Sequence, residues 1–459
     1  MERKGTHFAE QENNDNELFA SEPTDAKSAE RRDIEKQERH KQKNEQKLER
    51  IMKRKRRSSQ RSRREELSDE DTPQSMREAP TSSPVKKRLI LSLVIVLVLV
   101  LAVLLIWNSD MLSLSNLRNF VSYGIFNTDS DEGFPVDIRG ENITSGNFIR
   151  MKSLLCYVSD TRYAVLNSYG RTEFSATSGY SSPVLVSGDE LTLTYSLGGT
   201  GFSINSLSEA VYAGVAPDSI FLADIVDNGT YVLVTRDDGY NAKLYAYDAE
   251  NEQIFSYSFA DYYITAISLR SDGREAVVSG VSALNGGEIS CVYVLDFTKA
   301  EPKVFEEFEG NIIYDVSYLG DSDACIIGSA ASYGLHIRTA AFTATDYEGR
   351  TLTAYDINTD TDTYTIALSR SGDGRNCDLL SFSAGGTLTG TITTDERVSS
   401  LSTYKNRIAV LSNDTVILYS KDAGELSRTD TGIDAHAAVL YAASRVYLLG
   451  TNEITTLKL

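Results

Sequence analysis

Apolar residues are distributed along this chain in three ways, and each predicts a different kind of element. Up to residue 88 they are sparse: between Lys27 and Arg64 only Ala29, Ile34, Leu48, Ile51 and Met52 are apolar. Such a segment cannot bury a core, so residues 1–85 read as a mostly disordered tail with charged, helix-like stretches. Opposite charges recur there at helical spacing, as in Glu35 and Arg39, but each such pair stabilises a helix by only about 0.2–0.5 kcal/mol. Leu48, Ile51 and Met52 make one apolar turn, not the sustained heptad of a coiled coil.

From Leu89 to Trp107 the pattern inverts. The run LILSLVIVLVLVLAVLLIW holds one polar residue, Ser92, and no charge. A helix of this length spans roughly 28 Å, close to the roughly 30 Å of a bilayer's hydrocarbon core. It also satisfies its own backbone polar groups, as lipid demands. No second run of this length is present for it to pack against, so residues 86–108 predict a transmembrane helix rather than a buried core helix. A cleaved signal peptide would lie nearer the N-terminus, with an apolar core of roughly 7–15 residues. An uncleaved anchor is therefore expected.

Beyond the span, residues 109–147 read as a stalk or entry segment. A short amphipathic piece from Met111 to Phe120 is broken by Gly124, Gly133 and Pro135. From 148 to 459 helical periodicity disappears. Short runs rich in Val, Ile, Tyr, Thr and Leu recur between Gly, Asp, Asn and Ser turns, the signature of an all-β sandwich, barrel or propeller. A hairpin repeats. Tyr231–Thr235 with Lys243–Asp248 is the clearest copy. The others pair Arg162–Asn167 with Thr172–Ala176, Glu190–Tyr195 with Phe202–Asn205, and Glu275–Gly280 with Ser290–Asp296. Further along, Ala324–Gly328 pairs with Thr351–Asp356 over a long loop, and Cys377–Ser383 with Thr387–Thr391. Arg407–Leu411 with Thr415–Ser420 and Arg445–Leu449 with Glu453–Leu459 complete the series.

A spacing of roughly 30–50 residues is the period of a four-stranded blade. Gln253–Phe259 fits a fourth strand, and Tyr263–Leu269 and the stretch Gly310–Tyr318 fit first strands. The C-terminal repeat has room for only three strands, so a strand around Phe148–Val158 is expected to close the ring. The fold class is thus an all-β ectodomain, a seven- or eight-bladed β-propeller over 148–459, with an irregular two-sheet sandwich as the alternative.

Charge adds an orientation. Residues 1–88 hold 23 Lys plus Arg against 19 Asp plus Glu, whereas the remainder holds 23 basic and 46 acidic residues. Lys86, Lys87 and Arg88 abut the span on its N-terminal side. The positive-inside rule therefore predicts a cell-membrane protein with a cytoplasmic N-terminus and the C-terminal domain outside, Trp107 at the outer interface. Lys53, Arg54, Lys55, Arg56, Arg57, Arg61, Arg63 and Arg64 form a dense basic run. It suits a topology determinant or a contact with anionic lipid, where each base contributes about 1 kcal/mol. Nucleic-acid binding uses the same electrostatics but is the weaker reading, since Glu65–Asp71 blunts the field at once.

Candidate chemistry is thin. Cys156, Cys291, Cys325 and Cys377 match no metal or redox spacing and read as buried small hydrophobes, with one disulfide as the alternative. Only His336 and His436 lie beyond the span, which argues against a His-based triad or zinc site. No phosphate loop, nucleophile elbow or HExxH is present. The stretches Asn127–Gly133 and Asn358–Asp362 space oxygen ligands as calcium loops do, yet lack the glycine at position six and the glutamate at twelve. No catalytic, cofactor-binding or metal-ligating residue is assigned, and no cofactor.

The ending Tyr245-Ala-Tyr247-Asp248 and the turn Ser271-Asp272-Gly273 resemble the diverged WD40-like and quinoprotein-like repeats of bacterial propellers. The tryptophan docking signature of quinoproteins is missing, and with it the expectation of a quinone. The whole layout of basic tail, single span and acidic propeller is similar to an uncharacterised membrane-protein family of Gram-positive bacteria, a domain of unknown function. The expected function is a binding or scaffold module at the cell envelope for a protein, peptide or glycan, with long loops, Ser329–Arg350 above all, as contact surfaces. The alternative is an extracytoplasmic hydrolase or lyase using carboxylates at the central channel.

Overall fold

Hairpins read from the sequence sit inside four-stranded antiparallel sheets, and eight such sheets follow one another along the chain. The computed structural model describes residues 133–459. The basic tail, the 86–108 span and most of the stalk lie outside the described residues, and none of the described helices is long and apolar enough to cross a membrane. Residues 148–177, 183–215, 220–259, 263–309, 313–346, 351–394 and 400–430 form blades 1–7, each a simple meander. Blade 8 takes three strands from the C-terminal end, Ala435–Ala442, Arg445–Gly450 and Glu453–Lys458, and its fourth, Val136–Asp137, from the far end of the described chain. Val136 pairs with Ile454 and Asp137 with Glu453. The ring is closed, and the architecture is an eight-bladed β-propeller.

Blade stacking explains the composition of the strands. A second strand such as Tyr231–Thr235 (YVLVT) is buried at every position because both its faces meet another blade. Val232 and Val234 pack with Ala276 and Val278 of blade 4, while Tyr231 and Leu233 pack with Leu193 and Tyr195 of blade 2. Each such side chain contributes about 1.5–3 kcal/mol of transfer free energy. Outermost strands have no such neighbour, and Thr172–Thr177 (TEFSAT) accordingly alternates exposed and half-buried residues.

Seven of the eight expected hairpins are paired as read. The exception is blade 5. Ala324–Gly328 belongs to a strand paired with Ala331–His336, not with Thr351–Asp356, which begins blade 6. The supposed long loop Ser329–Arg350 holds two strands, Ala331–His336 and Ala341–Asp346. Small residues disguised them. Gly334 is required there because a Cβ would lie 2.1 Å from the backbone nitrogen of Gly386 in the neighbouring blade.

The closing strand also differs. Phe148–Val158 divides into the first two strands of blade 1, and closure falls to Val136–Asp137, within the stretch read as stalk. Just beyond that strand, Ile138 and Ile143 are buried with Tyr157, Leu449 and Ile454. Tyr447 crosses the seam: its ring stacks on Tyr441 at 4.0 Å, and its hydroxyl donates to the Ser153 carbonyl of blade 1 at 2.7 Å. All four cysteines are buried and free. Burial pushes the Cys156 and Cys291 thiols up to about 12, so neither supplies a thiolate at neutral pH.

Candidate functional site: an acidic funnel at one end of the ring

The inner strands of consecutive blades lie side by side around the axis. All run in the same direction, so the turns between first and second strands gather at one end. There, blades 1 to 6 line a cavity of about 720 Å³. Its walls include Asp189, Asp224, Asp227, Asp315, Asp360 and Asp362, against two bases, Arg150 and Lys152. Both bases are paired, Arg150 with Asp360 at 2.5 Å and Lys152 with Glu190. The Arg150 bridge joins blade 1 to blade 6, with blades 7 and 8 between them on the short way round, and the guanidinium lies 5.5 Å from the ring centre of Tyr404 in blade 7.

Several of these carboxylates hold the ring together. Asp224 accepts the Leu269 N–H of the next blade at 2.7 Å, and Ser268 accepts that of Tyr318 at 3.1 Å. Asp356 accepts both the N–H and the hydroxyl of Thr403, at 2.9 and 2.5 Å, and Ser402 accepts the Leu440 N–H at 3.0 Å. These four acceptors occupy corresponding places on four inner strands. Inner strands of neighbouring blades do not form a ladder with each other, so their inward N–H groups need side-chain acceptors. Asp227 serves the turns similarly, accepting the N–H groups of Asp189, Glu190 and Leu191 at 3.1, 2.7 and 3.3 Å.

Burial sets the proton affinities. It pushes the Asp224 carboxyl up to about 7, only partly offset by the Leu269 and Ile225 N–H groups, and neighbouring Asp315 adds to the rise. Burial likewise takes Asp315 up to about 6 against hydrogen bonds from Tyr355 and the Val316 N–H. Asp356 and Asp189 are raised from the ordinary carboxylate range by burial, Asp189 further by Asp227 and Asp360. A carboxyl whose folded pKa is raised favours the folded state while protonated, and that contribution is lost as pH climbs through the folded value. Asp224→Asn keeps an acceptor for Leu269 and removes the charge. It is expected to raise the urea midpoint at pH 8 relative to the parent, to give a smaller gain at pH 5, and to give none below the ordinary carboxylate range. Equal gains at both pH values would contradict the raised affinity.

The other residues singled out from the sequence are dispersed. His336 sits on the third strand of blade 5, its Nδ1 2.9 Å from Asp323 Oδ1. His436 is exposed at the start of the blade 8 inner strand, at the opposite end from the funnel. The Asn358–Asp362 stretch is the first turn of blade 6. Asn358 donates to the Thr403 carbonyl at 3.0 Å, and Asp360 holds Arg150. Among the described residues no group of three or more His, Cys, Asp or Glu is arranged to hold a metal ion. Leu89, Trp107 and the basic run from Lys53 to Arg64 lie outside the described residues. Of the funnel aspartates only Asp360 and Asp362, within Asn358–Asp362, were singled out from the sequence; those on the first strands, Asp224 and Asp315, were not. Their signal is one acid interrupting an apolar first strand, as in IFLADI, IYDVSYL and TLTAYDIN.

A family model described as a family of unknown function, DUF5711, matches residues 134–459. No curated protein matches the chain. Among solved structures, BamB from Moraxella catarrhalis is similar at 12% identity and a TM-score of 0.46, over 71% of this chain and 100% of that chain. A eukaryotic initiation factor is similar at 10% identity and a TM-score of 0.49, over 73% and 89%. The β-propeller domain of Myceliophteria thermophila Cps50 (Swd1) is similar at 10% and 0.45, over 71% and 100%.

Proposed function

The chain belongs to the DUF5711 family, a family of unknown function, and from that premise we propose that it is a single-pass, membrane-anchored binding module of the cell envelope. Residues 86–108 cross the membrane, the tail 1–85 is cytoplasmic with its basic run against anionic lipid, and the propeller stands outside and receives a protein or peptide partner. One observation carries the binding reading over the catalytic one: the inward-facing aspartates already serve as acceptors for backbone N–H groups and for Arg150. They make a rigid, acidic scaffold with fixed geometry. The excess of 46 acidic over 23 basic residues beyond residue 88 repels anionic glycans and lipid headgroups, and among the remaining partners we propose a protein or peptide.

The test is photo-crosslinking of the full chain in intact cells, with a benzoylphenylalanine at Asp362 on the funnel rim or at Asp237 at the opposite end of the ring. A discrete protein adduct is expected from at least one position, and added protease is expected to digest the propeller while sparing the tail. A propeller protected in intact cells, or no adduct from either position, would overturn the reading. The second reading, a carboxylate hydrolase or lyase, draws on Asp224 and Asp315, two carboxyls held near neutrality in one cavity. It requires turnover of an envelope substrate that Asp224→Asn abolishes, whereas the binding reading requires the adduct to survive that substitution.

A further inference from the structure

The end of the ring opposite the funnel is built differently. In blade 4 the second and third strands, Glu275–Leu284 and Gly287–Asp296, are ten residues each. They pair without interruption up to Leu284 and Gly287. Asn285 and Gly286, at φ 54° and 83°, form the two-residue turn, the conformation that matches the twist of a hairpin. The flanking strands stop short: Tyr263 pairs with Val281, and Glu309 with Ile289. The segment 282–288 therefore stands beyond the sheet as a two-stranded ribbon.

At its foot lies Tyr263, 64% exposed. On the inner strands to either side, Phe221 and Tyr314 occupy bulges, where the register shifts between Ile220 and Leu222 and between Ile313 and Asp315. A bulge re-aims its side chain, and both rings are exposed, as is Tyr240 in the neighbouring hairpin turn. Three consecutive blades thus present aromatic rings at one end of the ring, beside a projecting wall. At this end, the connections that enter blades 3–5 or join their second and third strands, with the ribbon, carry Asp218, Asp237, Asp238, Asp261 and Glu288 against a single base, Arg236. That base is itself 3.8 Å from Asp238.

We propose that this surface docks a Lys- or Arg-bearing peptide segment of a protein partner, laid along the ribbon with its cations over the rings of Tyr263 and Tyr314 and its charge answered by the surrounding carboxylates. Exposed tyrosine faces attract such cations electrostatically, and aromatic residues dominate the energetics of protein interfaces. The same contact already occurs within the chain, where Lys243 Nζ lies 5.0 Å from the ring centre of Tyr245. An apolar peptide would leave the carboxylates unanswered, and an anionic one would be repelled. The inference rests on the reading of the chain as a binding module and names the face and the chemistry of the partner.

The test is fluorescence anisotropy of a labelled peptide of alternating lysine and serine, titrated with the full chain in non-ionic detergent at physiological salt. Tyr263→Ala and Tyr314→Ala are each expected to weaken binding about fivefold or more, and Tyr263→Phe to leave it unchanged. Both positions are solvent-exposed, so an unaltered thermal midpoint is expected and shows that the fold is intact. Binding indifferent to both alanine substitutions would mean non-specific attraction to net charge and would overturn the proposal. Loss of binding in Asp189→Asn/Asp362→Asn, with Tyr263→Ala unaffected, would place the peptide in the funnel: the docking face fails while the binding-module reading survives. No binding of the peptide at all also overturns the docking face, and leaves the module to the crosslinking result.

Discussion

Tyr447→Ala is expected to destabilise the propeller by about 3–5 kcal/mol, read as a lower urea midpoint. The side chain is fully buried. It stacks on Tyr441 at 4.0 Å and approaches Phe134 at 5.9 Å between ring centres. Its hydroxyl is the donor to the Ser153 carbonyl across the blade 8–blade 1 seam. Truncation opens a cavity at the seam between blades 8 and 1 and leaves that carbonyl without its donor. Tyr447→Phe isolates the second effect and is expected to cost only about 1 kcal/mol, the net worth of one hydrogen bond. If alanine and phenylalanine prove equally costly, packing at the seam is not what holds the ring closed.

The second large effect is expected at Asp378. This residue lies on the third strand of blade 6 and is only 2% exposed. Its carboxylate accepts hydrogen bonds from Arg370 at 2.6 Å, from Arg350 at 3.0 Å and from the Thr393 hydroxyl at 2.9 Å. Arg350 belongs to the connection entering blade 6 and Arg370 to a turn within it, so one carboxylate secures two loops. Removing one member of a buried ion pair costs about 3–5 kcal/mol. Arg370 remains half open to solvent, which places Asp378→Ala near the lower end, about 3 kcal/mol. Burial alone would push the Asp378 carboxyl up, but the hydrogen bonds from Arg370, Thr393 and Arg350 outweigh it and hold the group below the usual carboxylate range. Its stabilisation is therefore present above the unfolded pKa and is lost as pH falls through the lowered folded value. The gap between parent and variant, wide at pH 7, is expected to close on acidification. A gap that stays constant across that range would mean that shape, not charge, carries the effect.

The repeat was legible because blade stacking buries both faces of the middle strands. That demand forces unbroken apolar runs such as YVLVT and RIAVL, and the polar turns between them mark the hairpins. Strands made of small residues were not legible. ASYGLH is held as a strand by its two partner strands, and its Gly334 makes room for a glycine turn of the next blade, tertiary relations with no trace in local composition. The closing strand was hidden for another reason. Two residues after Phe134-Pro135 suffice to complete blade 8, and two residues make no pattern. The inner-strand acids lay between these cases. Single acids in apolar strands are visible in sequence, but only the ring shows that Asp224 and Asp356 hold the next blade.

Ring closure also fixes an order of events during synthesis. Val136 and Asp137 leave the ribosome some three hundred residues before their partners Ile454 and Glu453 exist. Blades 1 to 7 each draw on contiguous sequence and can assemble as the chain emerges, whereas the oldest strand must wait for the youngest. Pairing at such separation is slow, because the entropy of closing the loop is lost before any contact compensates it. Until then the facing sides of blades 1 and 8, which bury Tyr157 and Tyr447 together in the closed ring, stay uncovered and open to aggregation. A chain that ends just short of Glu453 lacks the partner of Asp137, and its ring cannot shut.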